Sequence, residues 1–216
     1  MGVIWIIGDS TVEDNKPPFR GWGWALPQYV REGVRVRNIA LSGQSSLSFR
    51  EKGLFEPAEQ EMAAGDLLLI QFGHNDEKDD DRHTDPDTTF KEELWRYCRF
   101  ALDRGAQPVL LTPVSRRFFV GGGSMLYTHG EYPRAIRELA AEKHVPLCDL
   151  KRTAGSCIFP WEKKGRRSCS CAWLPAKTRI FRMATMTGPT STPVAPMRSA
   201  NWWCGNCGST PCASGI

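Results

Sequence analysis

Three short polar motifs carry the residue types that acyl-transfer chemistry needs. Ser10 lies in the motif Gly-Asp-Ser-Thr, Gly43 ends the motif Asn-Ile-Ala-Leu-Ser-Gly, and Asn75 lies in Gly-His-Asn-Asp. An exposed serine hydroxyl can attack a carbonyl, and its own N–H or an asparagine amide can donate to the oxygen that becomes negatively charged. A glycine lets the backbone approach a ligand closely. Taken singly, each motif is equally typical of something simpler: a helix cap, a turn glycine or a polar turn.

The elements that must position these motifs follow from the apolar pattern of the chain. Short continuous apolar runs indicate strands, and apolar residues repeated every three or four positions indicate helices. The predicted strands are residues 3–7, 34–41, 66–72, 108–112 and 145–150, and the predicted helical stretches are 22–30, 88–104 and 132–143. This alternation predicts a parallel sheet with helices on both faces and right-handed connections. All three motifs then lie at the carboxyl edge of the sheet, where α/β proteins build their sites.

Together, the three motifs resemble the block pattern of the SGNH hydrolases. The segments 8–12 (GDSTV), 72–76 (FGHND) and 111–117 (LTPVSRR) resemble the rhamnogalacturonan acetylesterase branch of these enzymes. The resemblance covers residues 3–153. It implies an α/β fold, the flavodoxin-like three-layer α/β/α sandwich with a parallel sheet, truncated at its C-terminal end in this chain.

The resemblance also implies roles for single residues, position by position. Ser10 matches the nucleophile. The backbone N–H groups of Ser10 and Gly43 and the side chain of Asn75 match the oxyanion hole, and Asp9 and His74 are expected to support these residues. The resemblance implies no metal and no organic cofactor.

The function implied by the resemblance is that of a carbohydrate O-acetylesterase, a serine esterase acting on carboxylic esters through an acyl-enzyme. Its partner would be a small-molecule or oligosaccharide acetyl ester, such as a fragment of acetylated pectin. Two alternatives of other classes stay open: a non-catalytic carbohydrate-binding remnant, and an SGNH lipase or thioesterase. Sugar binding without turnover would favour the first, and preference for acyl thioesters or lipids the second.

The histidines of this chain depart from the family pattern. A serine hydroxyl needs a base to take its proton, and the family supplies one from an Asp-x-x-His motif near the C-terminus. The histidines here are His74, His83, His129 and His144, and none follows residue 144. Asp80 and His83 match the motif as letters but fall between the third strand and its helix. The chain as written is therefore predicted to be nearly inactive.

The composition of the chain changes near residue 154. Residues 1–153 carry 20 Lys and Arg and 23 Asp and Glu, whereas residues 154–216 carry eight Lys and Arg and a single acid, Glu162. Six of the eight cysteines also lie after residue 153. The sequence thus predicts an incomplete hydrolase domain over 1–153 and a non-homologous, disordered tail over 154–216, since the tail has neither strand nor helix periodicity.

The codons of the tail suggest a frameshift near residue 154. Read one base earlier, Met186-Thr187 must encode aspartate, and Pro189-Thr190 permits histidine three codons later. In the same frame, residues 201–207 give leucines and valines at a spacing typical of an amphipathic helix. The shifted frame therefore permits the family's terminal motif, in which the histidine is one of four residues its codon allows, and sequencing the gene through codons 145–165 tests this hypothesis.

Other interpretations of the tail involve binding. Cys204 and Cys207, with Cys169 and Cys171, have part of the spacing of a zinc site, although no histidine lies nearby. The basic, tryptophan-bearing composition is also seen in nucleic-acid-binding segments. Neither is expected here, so no metal and no nucleic-acid partner is predicted.

Residues 76–87 form a second unusual segment, with seven acids in twelve residues. The spacing is not that of a calcium loop, so a solvated loop is predicted rather than a metal site. Elsewhere the chain has no apolar run of 18 residues that could span a membrane. Its first residues indicate a strand rather than a signal peptide, so the expected location is the cytoplasm.

Overall fold

A computed structural model gives the structure of the protein and describes residues 2–116, 119–120, 124–125 and 128–151. The predicted tail over 154–216, with its six cysteines and the codons on which the frameshift hypothesis depends, lies outside the described residues. Contacts within the chain divide it after Arg152, and the first unit is Met1–Arg152. The strands are β1 (Val3–Gly8), β2 (Arg35–Asn38), β3 (Leu67–Gln71), β4 (Gln107–Leu111), β5 (Phe119–Val120), β6 (Ser124–Met125) and β7 (Leu147–Cys148). The helices are α1 (Ser46–Glu51), α2 (Glu56–Glu61), α3 (Thr89–Asp103) and α4 (Tyr132–Glu142).

Five of the strands form one parallel sheet in the order β2-β1-β3-β4-β7. The central strand β1 pairs with β2 so that Ile6 lies opposite Asn38, and with β3 so that Gly8 lies opposite Gln71. The carboxyl ends of these three strands therefore meet, and the loops that follow them are neighbours. The predicted parallel sheet and the α/β class are confirmed.

Continuous apolar strands are explained by burial on both faces of the sheet. Every residue of β1 is buried, and Leu68 and Ile70 of β3 are at most 1 % exposed. One face packs against the helices through a group of aromatic rings, in which the ring centroids of Phe49 and Phe72 are 5.5 Å apart. Burying each such large side chain contributes roughly 1.5–3 kcal/mol.

Two regions differ from the sequence-based expectation. Residues 22–30, predicted as helical, contain only two short 3₁₀ helices, Trp22–Trp24 and Leu26–Gln28, because Gly23 and Pro27 are poor residues for a longer helix. The hairpin of β5 and β6, with Val120 opposite Ser124, was not predicted. Strands of two residues are too short to give a periodic signal. Among the described residues, no helix is long and apolar enough to cross a membrane.

Candidate active site

The turn after β1 exposes Ser10 and buries Asp9. The N–H groups of Val12 and Glu13 both donate to the Asp9 carbonyl at 3.0 Å, and this closes a tight turn with Ser10 at its tip. The Asp9 carboxylate points inward, where its Oδ1 accepts from the N–H of Thr11 at 2.9 Å and from its hydroxyl at 2.7 Å. The turn therefore exposes Ser10 while its neighbour Asp9 is fully buried.

Asp9 contacts the second predicted supporting residue, His74. The Oδ2 of Asp9 lies 3.4 Å from Nδ1 of His74, which is longer than an ordinary hydrogen bond but within ion-pair distance. Neither atom has a hydrogen-bond partner among the described residues. Burial opposes ionisation of Asp9, but His74 and the Thr11 donors outweigh it and lower the pKa of Asp9 below its usual value. The contact joins the loop after β1 to the loop after β3.

Gly43 lies in the loop after β2, next to the same turn. The N–H of Leu41 donates to the Gly8 carbonyl at 3.1 Å, and the N–H of Ser42 donates to the Glu13 carboxylate at 3.1 Å. Gly43 itself has a φ of 78°, the left-handed conformation that glycine adopts without a side-chain clash. The glycine is therefore needed here for its backbone conformation.

Asn75 lies in the loop after β3 and is directed toward the Gly43 loop. Its Nδ2 donates to the carbonyl of Gln44 at 2.9 Å. The guanidinium of Arg82 donates through one nitrogen to the Gly43 carbonyl at 3.2 Å and to the Asn75 Oδ1 at 3.4 Å. One hydrogen of the Asn75 amide is left for another acceptor. The structure thus brings Gly43 and Asn75 together, while Asp9 and His74 join the Ser10 turn to the Asn75 loop.

The last residue of the Gly-His-Asn-Asp motif, Asp76, fixes the Asn75 loop from inside. Its carboxylate accepts from the N–H and hydroxyl of Ser46 at 2.9 and 2.5 Å, from the N–H of Gly73 at 2.9 Å and from the hydroxyl of Thr84 at 3.2 Å. Burial dominates these uncharged donors and raises the pKa of Asp76 to about 6. One carboxylate therefore ties together the start of α1, the end of β3 and the acidic segment.

A second histidine, His129, packs beneath the site. Its ring centroid is 4.1 Å from that of His74, and its Nε2 lies 3.0 Å from the Val114 carbonyl. Burial, followed by the nearby His74 and Arg116, lowers the pKa of His129 to about 3. Its other ring nitrogen, Nδ1, lies 3.2 Å from the Glu77 carboxylate, so both nitrogens of His129 face acceptors. No motif in the sequence singles out His129, so only the fold shows that it lies next to His74.

The acidic segment 76–87 is largely exposed, as the sequence predicted, but two of its residues are buried. Asp76 and Thr84 are at most 1 % exposed, while Asp80 and Asp81 face solvent. The solvated loop was predicted from the charge of the segment alone. Charge does not show that Ser46 and Gly73 donate to the buried Asp76 carboxylate. Among the residues that the structure describes, no group of three or more His, Cys, Asp and Glu side chains is arranged to hold a metal ion.

The Asp80–His83 pair does not form a substitute base. The Asp80 carboxylate accepts from the backbone N–H of Arg82 at 3.0 Å and from its Nε at 2.8 Å, while Nδ1 of His83 lies 3.1 Å from the Lys78 carbonyl. The two side chains therefore have different partners.

Two residues of the site were not predicted from the sequence. Arg82 contacts Gly43 and Asn75, and the buried Asp76 fixes the Asn75 loop. The available signals were the final aspartate of the Gly-His-Asn-Asp motif and an arginine standing among acids in residues 76–87. Both signals are weak without coordinates, since an acid and a base two residues apart usually form only a surface pair.

Comparison with known proteins identifies the family to which the chain belongs. The model of the "GDSL-like Lipase/Acylhydrolase family" matches residues 6–167, which include all three motifs and extend past the composition change. The rhamnogalacturonan acetylesterase RhgT of Bacillus subtilis is 45% identical over 150 residues, 68% of this chain and 64% of RhgT. A second Bacillus subtilis protein, YesY, named as a "probable rhamnogalacturonan acetylesterase", is 37% identical over 151 residues, 68% of this chain and 69% of YesY.

Solved structures show the same architecture. The crystal structure of the YxiM protein of Bacillus subtilis has a TM-score of 0.64 and 31% identity, covering 72% of this chain and 45% of that one. A mutant of Axe2, an acetylxylan esterase from Geobacillus stearothermophilus, has a TM-score of 0.56 at 19% identity, over 72% of this chain and 78% of that one. The second likeness concerns the fold alone. The chain spans just under two thirds of RhgT and under half of YxiM.

Proposed function

We propose that Ser10, Gly43 and Asn75 form the nucleophile and oxyanion hole of a carbohydrate O-acetylesterase, since the chain belongs to the GDSL-like lipase/acylhydrolase family. Ser10 is the nucleophile. The N–H groups of Ser10 and Gly43 and the free Asn75 amide hydrogen donate to the oxyanion. Asp9 and His74 support the turn that presents Ser10.

The observation that carries the proposal is the convergence of three loops on one edge of the sheet. Asp9 and His74 lie 3.4 Å apart and join the loops after β1 and β3, and Asn75 donates to Gln44 at 2.9 Å and joins the loops after β3 and β2. Ser10 is exposed at the tip of its turn, whereas Asn75 is only 6 % exposed. An exposed hydroxyl on one loop and an amide fixed by hydrogen bonds on a neighbouring loop supply the groups that attack a carbonyl and donate to its oxyanion.

The reaction has two steps. The Ser10 hydroxyl oxygen bonds to the acetyl carbon, its proton leaves to a base, and the sugar departs as an alcohol after taking up a proton. Water then attacks the acetyl-Ser10 ester and releases acetate and the free hydroxyl. The substrate class, an acetylated sugar or oligosaccharide, is supported by the 45% identity to a rhamnogalacturonan acetylesterase.

The proposed site lacks a histidine in the position where the family has the base that takes the serine proton. None of the chain's four histidines follows residue 144, and His74 and His129 are buried against each other. Without a base, the serine proton has no acceptor other than water, and the rate falls to that given by the oxyanion hole and binding alone. The chain is therefore proposed to be a slow enzyme whose nucleophile and oxyanion donors are in place.

Added imidazole tests this proposal, since it can act as an external base. The full chain is mixed with p-nitrophenyl acetate and with acetylated rhamnogalacturonan fragments, at imidazole concentrations from zero upward, and acetate release is measured. We expect release above the protein-free imidazole reaction, rising with imidazole and absent in Ser10→Ala.

Three outcomes contradict the proposal or its substrate class. Equal rates in the wild type and Ser10→Ala at every imidazole concentration would remove Ser10 as the nucleophile. Binding of the acetylated sugar without any Ser10-dependent release would instead favour a carbohydrate-binding remnant. Faster turnover of acyl thioesters than of acetylated sugars would move the substrate class to thioesters.

A further inference from the structure

The acidic segment 76–87 contains one arginine whose guanidinium reaches both oxyanion loops. One nitrogen of Arg82 lies 3.2 Å from the Gly43 carbonyl and 3.4 Å from the Asn75 Oδ1. We propose that Arg82 is a positioning residue that holds Gly43 and Asn75 in the geometry in which they donate to the oxyanion. This inference rests on the function proposed above.

Arg82 is itself fixed on its other side by Asp80. The Asp80 Oδ1 accepts from the Arg82 backbone N–H at 3.0 Å and from its Nε at 2.8 Å, and Oδ2 pairs with a terminal guanidinium nitrogen. This two-point contact sets the plane of the guanidinium. Its remaining nitrogen is then directed at the two oxyanion loops. The guanidinium also holds the pKa of Asp80 well below its usual range, so the pair stays ionised at neutral pH.

The contacts with Arg82 and with Gln44 together set which way the Asn75 amide faces. An asparagine amide can sit in two orientations that exchange its oxygen and nitrogen. In the observed orientation, the oxygen faces the Arg82 guanidinium and the nitrogen donates to the Gln44 carbonyl. The reverse orientation would place oxygen against a carbonyl and NH₂ against a cation. Arg82 and Gln44 together therefore select the orientation that leaves an N–H for the substrate.

The contact with the Gly43 carbonyl holds the second loop. Gly43 has a φ of 78°, Arg82 donates to its carbonyl, and Asn75 donates to the carbonyl of the next residue, Gln44. The guanidinium therefore bridges the two loops through neighbouring acceptors. A lysine has the charge but not the planar fork, so it cannot hold Asp80 and both loops at once.

Side-chain amide NMR of the full chain tests the positioning without any need for turnover. The Asn75 NH₂ resonances, assigned by loss in Asn75→Ala, are followed in the wild type, Arg82→Ala and Arg82→Lys. We expect Arg82→Ala and Arg82→Lys to shift these resonances and to speed their hydrogen exchange about tenfold, because the amide loses its oriented partner. Backbone amides of β1 and β3 should be unchanged. The matched control is Arg134→Ala, which removes an arginine that pairs with Asp87 of the same segment.

A second readout measures catalysis with imidazole present. We expect kcat in Arg82→Ala to fall about tenfold at unchanged KM, less than the ~10²–10³ loss for removing a donor itself. Asp80→Asn should give a smaller fall in the same direction, and Arg134→Ala none.

The outcomes separate this inference from the proposed function. Unaltered Asn75 resonances in Arg82→Ala, or wild-type behaviour of Arg82→Lys in both readouts, would overturn the positioning role. If no variant, including the wild type, shows Ser10-dependent turnover, the proposed function fails. The NMR arm still decides whether Arg82 holds Asn75.

Discussion

The loops after β1 and β3 are each built around one fully buried aspartate, yet the two carboxylates differ in character. Asp9 contacts a titratable ring, His74, at 3.4 Å, and its pKa is lowered. Asp76 accepts only uncharged donors, among them Ser46 and Gly73, and its pKa is raised to about 6. Burial acts on both in the same direction. The difference lies in the partners, since His74 together with the Thr11 donors outweighs burial at Asp9, whereas uncharged donors alone do not outweigh it at Asp76.

The largest expected effect comes from removing the Asp76 carboxylate. Asp76→Ala leaves the buried donors of Ser46, Gly73 and Thr84 without an acceptor. We expect the free energy of unfolding to fall by about 3–5 kcal/mol, measured by urea denaturation at pH 7. The control is Asp87→Ala in the same segment, where the side chain is 56% exposed and the loss should stay below about 0.5 kcal/mol. Similar losses in both variants would mean that Asp76 does not organise the loop.

The pH dependence of stability should distinguish the two aspartates by sign. The raised pKa of Asp76 means that the folded state binds a proton more tightly, so its contribution to stability falls as pH rises from about 4 to 6. The lowered pKa of Asp9 gives a contribution that is present above pH 4 and is lost as pH falls further. On acidification from pH 6 to 4, we expect the wild type to gain about 2 kcal/mol relative to Asp76→Asn.

Below pH 4, the wild type should instead lose stability relative to Asp9→Asn. Urea denaturation of the three proteins between pH 3 and 7 checks both slopes. Slopes of the same sign for the two aspartates would refute the role given to His74.

The smallest expected effect is that of Ser10→Ala on stability. Ser10 is exposed at the tip of its turn, and the turn is closed by backbone bonds to the Asp9 carbonyl. The unfolding free energy should therefore change by less than about 0.5 kcal/mol. Thermal and urea unfolding of the variant check this, and they also show that any loss of turnover in Ser10→Ala comes from chemistry. A destabilisation above about 1 kcal/mol would place Ser10 among the structural residues of the loop.

Much of the fold could be predicted because its signals are local. The buried strands β1 and β3 are continuous apolar runs, and α3 has an apolar face that the sequence alone displays. The two-residue strands β5 and β6 escaped prediction because a pair of residues has no period. The 3₁₀ helices of residues 22–28 replaced a predicted helix because the local glycine and proline content outweighed the weak apolar pattern.

The sequence by itself determined the kinds of groups at the site: one serine in a Gly-Asp-Ser turn, a glycine and an asparagine after successive strands, and no histidine after residue 144. Those are properties of residue type and order along the chain. Tertiary structure alone decided that Arg82 bridges Gly43 and Asn75, and that Asp9 and Asp76 meet different partners. The partners lie up to 65 residues apart and are joined only by the register of parallel strands. Burial and charge at such meeting points depend on that register, which no local pattern encodes.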